Sequence, residues 1–257
     1  MSTPPPADTA LLEEVVALAR RAGAATLGWF QSSALTVDRK ADGTPVTIAD
    51  RTAERIIRAH VEQHHPRDGI VGEEEGVSTG ISGRTWFIDP IDGTRSFVHG
   101  VPLYATLIAV EDEHGAAVGV IELPALGETI AAGRGLGCFW NDHLARVSAH
   151  TAIEEASVTR SEYGLMPIEM VERLQASALR QLTWGDGYGY ALVATGRLEA
   201  MVDSAAYAWD LAPMAVILPE AGGRFTDLQG HDSFRSGSGL ASNGHLHEAV
   251  RSIVTGT

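Results

Sequence analysis

The chain has 257 residues, 44% of them hydrophobic, and a formal net charge of −14. The excess of acidic residues argues against nucleic acid as a main partner, because nucleic-acid binding needs a basic surface that displaces counterions. No apolar run approaches the roughly 18 residues that a membrane-spanning helix needs. The single cysteine, Cys138, excludes an internal disulfide and fits a reducing cytoplasm.

The first eight residues predict a short disordered lead. They contain three successive prolines, Pro4, Pro5 and Pro6, which are poorly suited to opening a helix. They show no basic region followed by an apolar core, so we expect no secretory signal and a cytoplasmic location.

Helical spacing dominates the next part of the chain. Apolar residues at Leu12, Val15 and Ala19 predict a helix within residues 9–30. A second helix is predicted from "PVTIAD" onwards, because Thr47 can cap it and Asp50 follows three residues later.

The pattern changes from Gly69 onwards. Short β-rich runs predict a sheet with turns at Gly and Asp: "GIVGEE", "TWFIDPID", "LYATLIAVE", "AAVGVIELPA", "ETIAAGRG" and "GCFWN". After about residue 148, strands alternate with helices, including one helix over roughly 167–181 and another in "WDLAPMAVILPEAGG" that glycines close. This change divides the chain into an N-terminal α+β half over 9–148 and a C-terminal α/β half over 149–257. No Pro/Gly/Ser-rich linker separates the halves, so we expect one compact unit.

Acidic residues stand at the ends of several apolar elements. Two predicted strands and two predicted helices carry them: Asp89, Asp92, Glu73, Glu74, Glu75, Asp50 and Asp210. Hard divalent cations such as Mg²⁺ take oxygen ligands, commonly a few carboxylates plus substrate phosphate. Pro90 stiffens the connection between Asp89 and Asp92, so both side chains can converge on one point. Gly93 leaves room for a ligand at the backbone, and the pattern therefore predicts a metal-assisted phosphoryl-transfer site.

Each acid also has a structural interpretation. Asp89 before a proline could open a turn, and the glutamate run could be a solvated charged surface. Asp50 and Asp210 could cap helices, at about 1 kcal/mol each. The position of Asp89 and Asp92 among other acids at the ends of apolar elements favours the metal site.

Three motifs resemble those of a known family. "GEE", "WFIDPIDGTRSF" and "WDLAPMAVILPEAGG", in this order and spacing, are similar to the motifs of the inositol monophosphatase family of magnesium-dependent phosphatases. The similarity extends from "PVTIAD" to "ASNGHLHEAV", nearly the whole chain. It implies a layered α/β/α/β/α sandwich within the α+β and α/β classes, and a homodimer. It also implies Mg²⁺ as the cofactor, as two or three ions for which Mn²⁺ could substitute.

The resemblance implies a set of metal ligands. Glu73 and Asp89 would bind a first metal ion together with the carbonyl oxygen of Ile91. Asp89 would bridge to a second ion, which Asp92 and Asp210 would also hold.

The resemblance also implies catalytic and phosphate-binding residues. Glu74 and Thr94 would position and activate the attacking water, with support from Asp50. The backbone amides of Gly93 and Thr94 would hold the phosphate.

Two segments are similar to the histidinol-phosphatase branch of the family. "DGTRSF" has Ser96 where many inositol phosphatases have asparagine, and "TWGDGYGYALVATG" points the same way. Histidinol phosphate carries a cationic amine and an imidazole, so Arg95, Asp186 and Tyr188 are candidates for substrate binding. Asp186 could instead cap a helix that begins at Gly187. Arg95 could bind phosphate, contact a dimer mate or pair with a surface acid.

These features predict a cytoplasmic, Mg²⁺-dependent phosphomonoesterase of histidine biosynthesis, which hydrolyses histidinol phosphate to histidinol and phosphate through metal-activated water. A broad inositol- or sugar-phosphate phosphatase is the alternative within the family. An inactive Mg²⁺-binding regulatory protein is the alternative outside it. The expected partners are a small phosphate ester and a second copy of the chain, with no nucleic acid and no membrane.

Overall fold

The computed structural model describes residues 4–161 and 166–257. The helices in these ranges are α1 (Thr9–Thr26), α2 (Ile48–His64), α3 (Thr94–Val98), α4 (Ile168–Ala176), α5 (Asp186–Ala194), α6 (Ala208–Leu211), α7 (Met214–Glu220) and α8 (His247–Thr255). The strands are β1 (Val37–Arg39), β2 (Pro45–Thr47), β3 (Gly69–Gly72), β4 (Gly76–Ser78), β5 (Thr85–Asp92), β6 (Ala105–Asp112), β7 (Gly115–Leu123), β8 (Glu128–Gly133), β9 (Gly137–Trp140), β10 (His143–Leu144), β11 (Ser157–Arg160), β12 (Arg180–Gln181), β13 (Ala200–Asp203), β14 (Arg224–Thr226) and β15 (Gly239–Ser242).

The strands form two main sheets and one small hairpin. Eight strands pair in the order β10-β9-β8-β7-β6-β5-β3-β4, and five pair in the order β12-β11-β13-β15-β14. The strands β1 and β2 pair with each other and form the hairpin. In the larger sheet β3 and β5 run parallel, so their carboxyl ends meet at one edge.

Side-chain alternation along β5 shows how the layers are built. Trp86 and Ile88 face the apolar cluster that α1 and α2 form on one side of the larger sheet. Phe87 faces the opposite side, where α5 and α7 fill the space between the two sheets. The helices α4 and α8 cover the outer face of the smaller sheet. The fold is therefore the expected α/β/α/β/α sandwich.

The start of α2 confirms the predicted capping box. The backbone N–H and hydroxyl of Thr47 donate to Oδ2 of Asp50 at 2.8 and 2.6 Å, and Thr47 Oγ1 accepts the N–H of Ala49. This reciprocal pairing satisfies donors that a helix N-terminus otherwise leaves free.

The first helix lies within the predicted range 9–30 and ends at Thr26. Two other predicted helix extents were wrong. The helix α4 ends at Ala176, and β12 occupies part of the predicted range that follows it. The predicted helix in "WDLAPMAVILPEAGG" divides into α6 and α7 at Pro213, which has no backbone N–H to donate. The hairpin of β1 and β2 and the short helix α3 were not predicted.

The predicted disordered lead covers residues 1–8, of which Met1–Thr3 lie outside the described residues. Two of its other residues, Pro5 and Ala7, make hydrogen bonds with Arg134. The carbonyl oxygen of Pro5 accepts from Arg134 Nε at 2.9 Å, and the N–H of Ala7 donates to the Arg134 carbonyl at 2.8 Å. None of the helices in the part of the chain that the structure describes is both long and apolar enough to cross a bilayer.

Candidate active site

A bulge in β5 brings two carboxylates to one side of the larger sheet. Asp89 pairs with Leu107 and Asp92 pairs with Ala105, so three steps along β5 match only two along β6. In a regular strand, residues three apart would face opposite sides of the sheet. The extra residue lies at Pro90–Ile91. At this point β5 extends beyond the last paired residue of β3, so the N–H that Pro90 lacks is not needed for pairing on that side. The pair therefore converges through a bulge within the strand and not through a turn after it.

The end of β3 places a third carboxylate beside the pair. The N–H of Glu73 donates to the carbonyl oxygen of Ile88 at 3.1 Å, which carries the parallel pairing one residue past Gly72. Glu73 therefore lies next to Asp89, whose raised pKa is partly due to the Glu73 charge.

The buried carboxylate of Glu54 holds the turn that follows β3. It accepts the N–H groups of Glu74 and Glu75 at 2.7 and 3.0 Å and the Nε–H of Arg58 at 2.7 Å. Glu54 was not among the predicted site residues. A signal was present, because Glu54 lies on the apolar stripe of α2 with Ile57 and Val61, where an acid needs buried partners.

Asp210 reaches the same place from α6. Its Oδ2 accepts the N–H of Tyr207 at 2.7 Å, so the residue does cap its helix, as the structural interpretation expected. It also lies against Asp89, because α6 packs on β5. Capping and site formation are thus two roles of one carboxylate.

Burial and crowding raise the pKa values of these carboxyl groups. Burial, followed by the charges of neighbouring acids, raises the pKa of Asp89 and of Asp92 well above the usual value. Burial raises the pKa of Asp210 to about 7, although the hydrogen bond from Tyr207 opposes the shift. These shifts reflect how closely the buried carboxyl groups of the site lie to one another.

Lys40, at the end of the β1 strand, provides positive charge at the rim. Its Nζ lies 2.6 Å from Oε1 of Glu73 and 2.6 Å from Oε1 of Glu74. Burial acts to lower the pKa of Lys40, but the hydrogen bonds and charges of these two glutamates together outweigh it. The pKa of Lys40 is therefore raised overall, and the ammonium group stays charged. Lys40 was not among the predicted site residues, although Asp42-Gly43 between two extended segments is a hairpin signal.

Thr94 connects the bulge to α2. Its Oγ1 lies 3.0 Å from the carbonyl oxygen of Ile91 and 3.4 Å from Oδ1 of Asp50. The other oxygen of Asp50 is occupied by Thr47, so Asp50 both caps α2 and faces Thr94. This places the Thr94 hydroxyl beside the acid cluster.

The N-terminus of α5 forms the opposite wall. The N–H of Gly187 donates to Oδ2 of Asp92, and the N–H of Asp186 donates to Ser161 Oγ at 2.9 Å. The N-cap of α5 is Gly185, so Asp186 does not cap this helix. Burial raises the pKa of Asp186, while Ser161 and the positive charge of Arg95 oppose the shift.

These elements surround a cleft of about 850 Å³. Most of the predicted site residues line it: Glu73, Asp89, Ile91, Asp92, Gly93, Thr94, Arg95, Asp186 and Asp210. Glu74 and Asp50 lie behind this lining, and Tyr188 packs against the apolar core between the sheets. Asp203 and Tyr190 also line the cleft, and neither was among the predicted site residues. The Tyr190 hydroxyl donates to Asp203 Oδ2 at 2.8 Å.

Comparison with known proteins gives consistent matches over nearly the whole chain. The profile of the inositol monophosphatase family matches residues 8–255. A histidinol-phosphatase of Chlorobaculum parvum is 45% identical over 235 residues, covering 90% of this chain and 91% of that protein. An inositol-1-monophosphatase of Mesorhizobium japonicum is 33% identical over 259 residues, covering 96% of this chain and 97% of that protein. A solved IMPase structure from Thermotoga maritima matches with a TM-score of 0.87 at 31% identity, covering 96% of this chain and 98% of that one.

Proposed function

The chain belongs to the inositol monophosphatase family and is a phosphoric monoester hydrolase, and we propose that its substrate is histidinol phosphate, which it hydrolyses to histidinol and inorganic phosphate. The similarity to the histidinol-phosphatase of Chlorobaculum parvum supports this substrate. The similarity to an inositol-1-monophosphatase keeps inositol phosphate as the comparison substrate.

The observation that carries the proposal is a second pair of carboxylates in the cleft, of which Asp203 is buried and Asp186 partly buried. Asp186 and Asp203 line it together with Tyr190, on the wall that α5 and β13 form. Histidinol phosphate has a cationic amine and an imidazole, which can donate hydrogen bonds to carboxylates. An inositol ring has only hydroxyl groups and gives no positive charge to balance these acids.

The acid cluster on the other wall fits divalent cations. It consists of oxygen donors, which Mg²⁺ prefers, and these buried carboxyl groups lie close enough for their charges to raise one another's pKa values. The residues that would hold Mg²⁺ are Glu73, Asp89, Asp92 and Asp210, with the carbonyl oxygen of Ile91. Bound Mg²⁺ would neutralise this charge and act as a Lewis acid toward the phosphate ester.

The remaining residues position the reactants. The Thr94 hydroxyl, oriented by Ile91 and Asp50, is close enough to the acid cluster to orient an attacking water. Glu74 follows Glu73, which would bind metal, and Glu74 would accept a proton from that water. Gly93 and Thr94 line the cleft, and their backbone amides would bind the phosphate oxygens. Hydrolysis adds the water oxygen to phosphorus, breaks the ester P–O bond and leaves a proton on the histidinol oxygen.

The test is phosphate release by the purified protein with Mg²⁺. The substrates are L-histidinol phosphate, inositol 1-phosphate, fructose 1,6-bisphosphate and an aryl phosphate, each with and without EDTA. We expect kcat/KM for histidinol phosphate to exceed the others by about 100-fold, or about 2.7 kcal/mol of differential transition-state binding. Comparable rates on all four would contradict the substrate and indicate a broad phosphatase. Absence of EDTA-sensitive release would instead favour an inactive regulatory protein.

The family resemblance also supports a homodimer located in the cytoplasm. Light scattering after size-exclusion chromatography tests the dimer, because one chain has a mass of 27.2 kDa. A mass of one chain at working concentration would contradict it.

A further inference from the structure

A glutamate and two histidines meet at the far end of α2, outside the catalytic cleft. Oε1 of Glu14, on α1, lies 2.6 Å from Nε2 of His60 and 2.9 Å from Nε2 of His65. Among the described residues, these three form a group whose potential ligand atoms all lie within 4.8 Å of one another. Ten residues of helix separate His60 from Asp50, so the group lies about 15 Å along α2 from the catalytic residues.

The three side chains are held in place by packing. Their exposed fractions are 28% for Glu14, 14% for His60 and 19% for His65. The His65 ring packs against Trp86, with the ring centroids 5.2 Å apart, and its backbone N–H donates to Val61 at 2.7 Å. The donor atoms are therefore brought together before any ligand binds.

His65 has a carboxylate on each side. Its Nε2 faces Glu14, and its Nδ1 lies 4.0 Å from Oδ2 of Asp68, which also accepts from Trp86 Nε1 at 3.0 Å. A neutral His65 that donates through Nε2 would turn the lone pair of Nδ1 toward the Asp68 carboxylate. A metal ion on Nε2 removes this conflict, because the ring proton then sits on Nδ1 and faces Asp68. A second proton on His65 would also remove it, so proton and metal compete for the site.

The donor atoms select the class of metal. Two imidazole nitrogens and one carboxylate oxygen suit Zn²⁺ and its neighbours Co²⁺ and Ni²⁺, whereas Mg²⁺ prefers oxygen alone. Although burial raises the pKa of Glu14, its hydrogen bonds with His60 and His65 lower it overall, so the carboxylate is ionised. His65 and Asp68 also line a surface cleft of about 540 Å³, through which a water could complete the coordination.

We propose that Glu14, His60 and His65 form a zinc-type metal site that ties α1 to the C-terminal end of α2. The proposal does not depend on the phosphatase substrate, because none of the three residues lines the catalytic cleft. The site would stabilise the pairing of the two outer helices, and bound metal would raise the Tm by mass action.

The test is titration of the full chain with Zn²⁺ in excess Mg²⁺, near neutral pH, followed by calorimetry and thermal unfolding. His60→Ala and His65→Ala remove one ligand each. The matched control is His64→Ala, because the His64 ring stacks on His60 with centroids 4.2 Å apart but lies outside the three-atom group. Glu14→Gln is a further ligand variant in case a histidine variant does not fold.

We expect the wild type and His64→Ala to bind one Zn²⁺ ion that the ligand variants bind about 100-fold more weakly or not at all. Adding Zn²⁺ should raise the Tm of the wild type and of His64→Ala. It should leave the Tm of the ligand variants unchanged. Co²⁺ in the wild type should give the absorption of a nitrogen-containing site, which an oxygen-only cluster does not give. Equal Zn²⁺ affinity in wild type and ligand variants would overturn the proposal. So would an equal loss in His64→Ala, because the effect would then come from a disturbed helix end.

Discussion

The carboxylate of Glu54 accepts the backbone N–H of Glu74 at 2.7 Å, and through this bond α2 positions the turn that carries the first predicted metal ligand. The same carboxylate binds the N–H of Glu75 and the guanidinium of Arg58. Arg58 in turn donates to the carbonyl oxygen of Gly76, on the other side of the turn. The turn is thus attached at both ends to one buried ion pair.

Glu54→Gln should loosen this turn and weaken Mg²⁺ binding. The amide side chain keeps the size but leaves Arg58 without its buried counter-charge, at a cost of about 3–5 kcal/mol in the free energy of unfolding. We expect a drop of about 10–100-fold in kcat/KM and a higher Mg²⁺ concentration for half-maximal activity. Glu62→Gln, at an exposed position of the same helix, is the control. Unchanged Mg²⁺ dependence in Glu54→Gln would show that Glu54 does not position the site.

Asp89→Asn should abolish turnover while leaving the fold intact. The substitution removes the carboxylate that lies among Glu73, Asp92 and Asp210. Because it also removes repulsion among buried charges, we expect the metal-free variant to have a Tm equal to or above that of the wild type. Phosphate release and thermal unfolding in EDTA measure the two effects. An active Asp89→Asn protein would contradict the assignment of Asp89 as a metal ligand.

Gly187→Ala should displace the N-terminus of α5 from the site. An added Cβ would lie 2.9 Å from Oδ2 of Asp92, closer than real Cβ atoms approach, and 3.0 Å from the Cβ of Ala105, tighter than most real Cβ contacts. We expect a loss of about 1–3 kcal/mol in the free energy of unfolding, from overpacking, and at least about tenfold in kcat/KM. Gly28→Ala is the control, because its nearest neighbour would be 3.8 Å away. Wild-type activity in Gly187→Ala would mean that the contact with Asp92 is not needed.

Asp186→Asn should reduce selectivity for the amine-bearing substrate. Asp186 has a φ of +56°, which asparagine also tolerates, so the backbone should not change. We expect kcat/KM for histidinol phosphate to fall about 10–100-fold and that for an aryl phosphate to change less than about threefold. The exposed Asp232→Asn serves as the control. Equal losses on both substrates would assign Asp186 to general site structure and not to substrate recognition.

His247 should make the protein less stable as the pH falls. Its ring is buried between Thr226 Oγ1 and Ser242 Oγ at 2.9 and 2.8 Å, and burial, with a smaller effect of the Arg224 charge, lowers its pKa to about 4. The unfolded chain takes up this proton near pH 6.5, so between about pH 6.5 and 4 the unfolded state binds more protons and is favoured. This group should therefore remove up to about 3 kcal/mol of stability on acidification across that range.

Urea unfolding of the wild type and His247→Gln at several pH values measures this contribution. The difference between the two free energies of unfolding should shrink toward low pH, because only the wild type has the histidine. A difference that stays constant with pH would contradict a neutral, buried His247.

The sequence was informative wherever a feature depends on neighbours in the chain. The Thr47 and Asp50 capping box and the acids of "GEE" and "WFIDPID" rest on residue types three or four positions apart, and these local interactions survive in the fold. Helix ends were less predictable, since the break before α7 depends on a single proline whose neighbours also favour a helix.

Tertiary structure decided how the site is assembled. A regular strand would have turned Asp89 and Asp92 to opposite faces, and only the pairing of β5 with β6 reveals the bulge that brings them together. Gly187 meets Asp92 across 95 positions of sequence, and Glu54 meets Glu74 across 20. Such contacts follow from strand order and from the packing of α2 and α5 on the sheet. They depend on long-range geometry, which no short window of sequence contains.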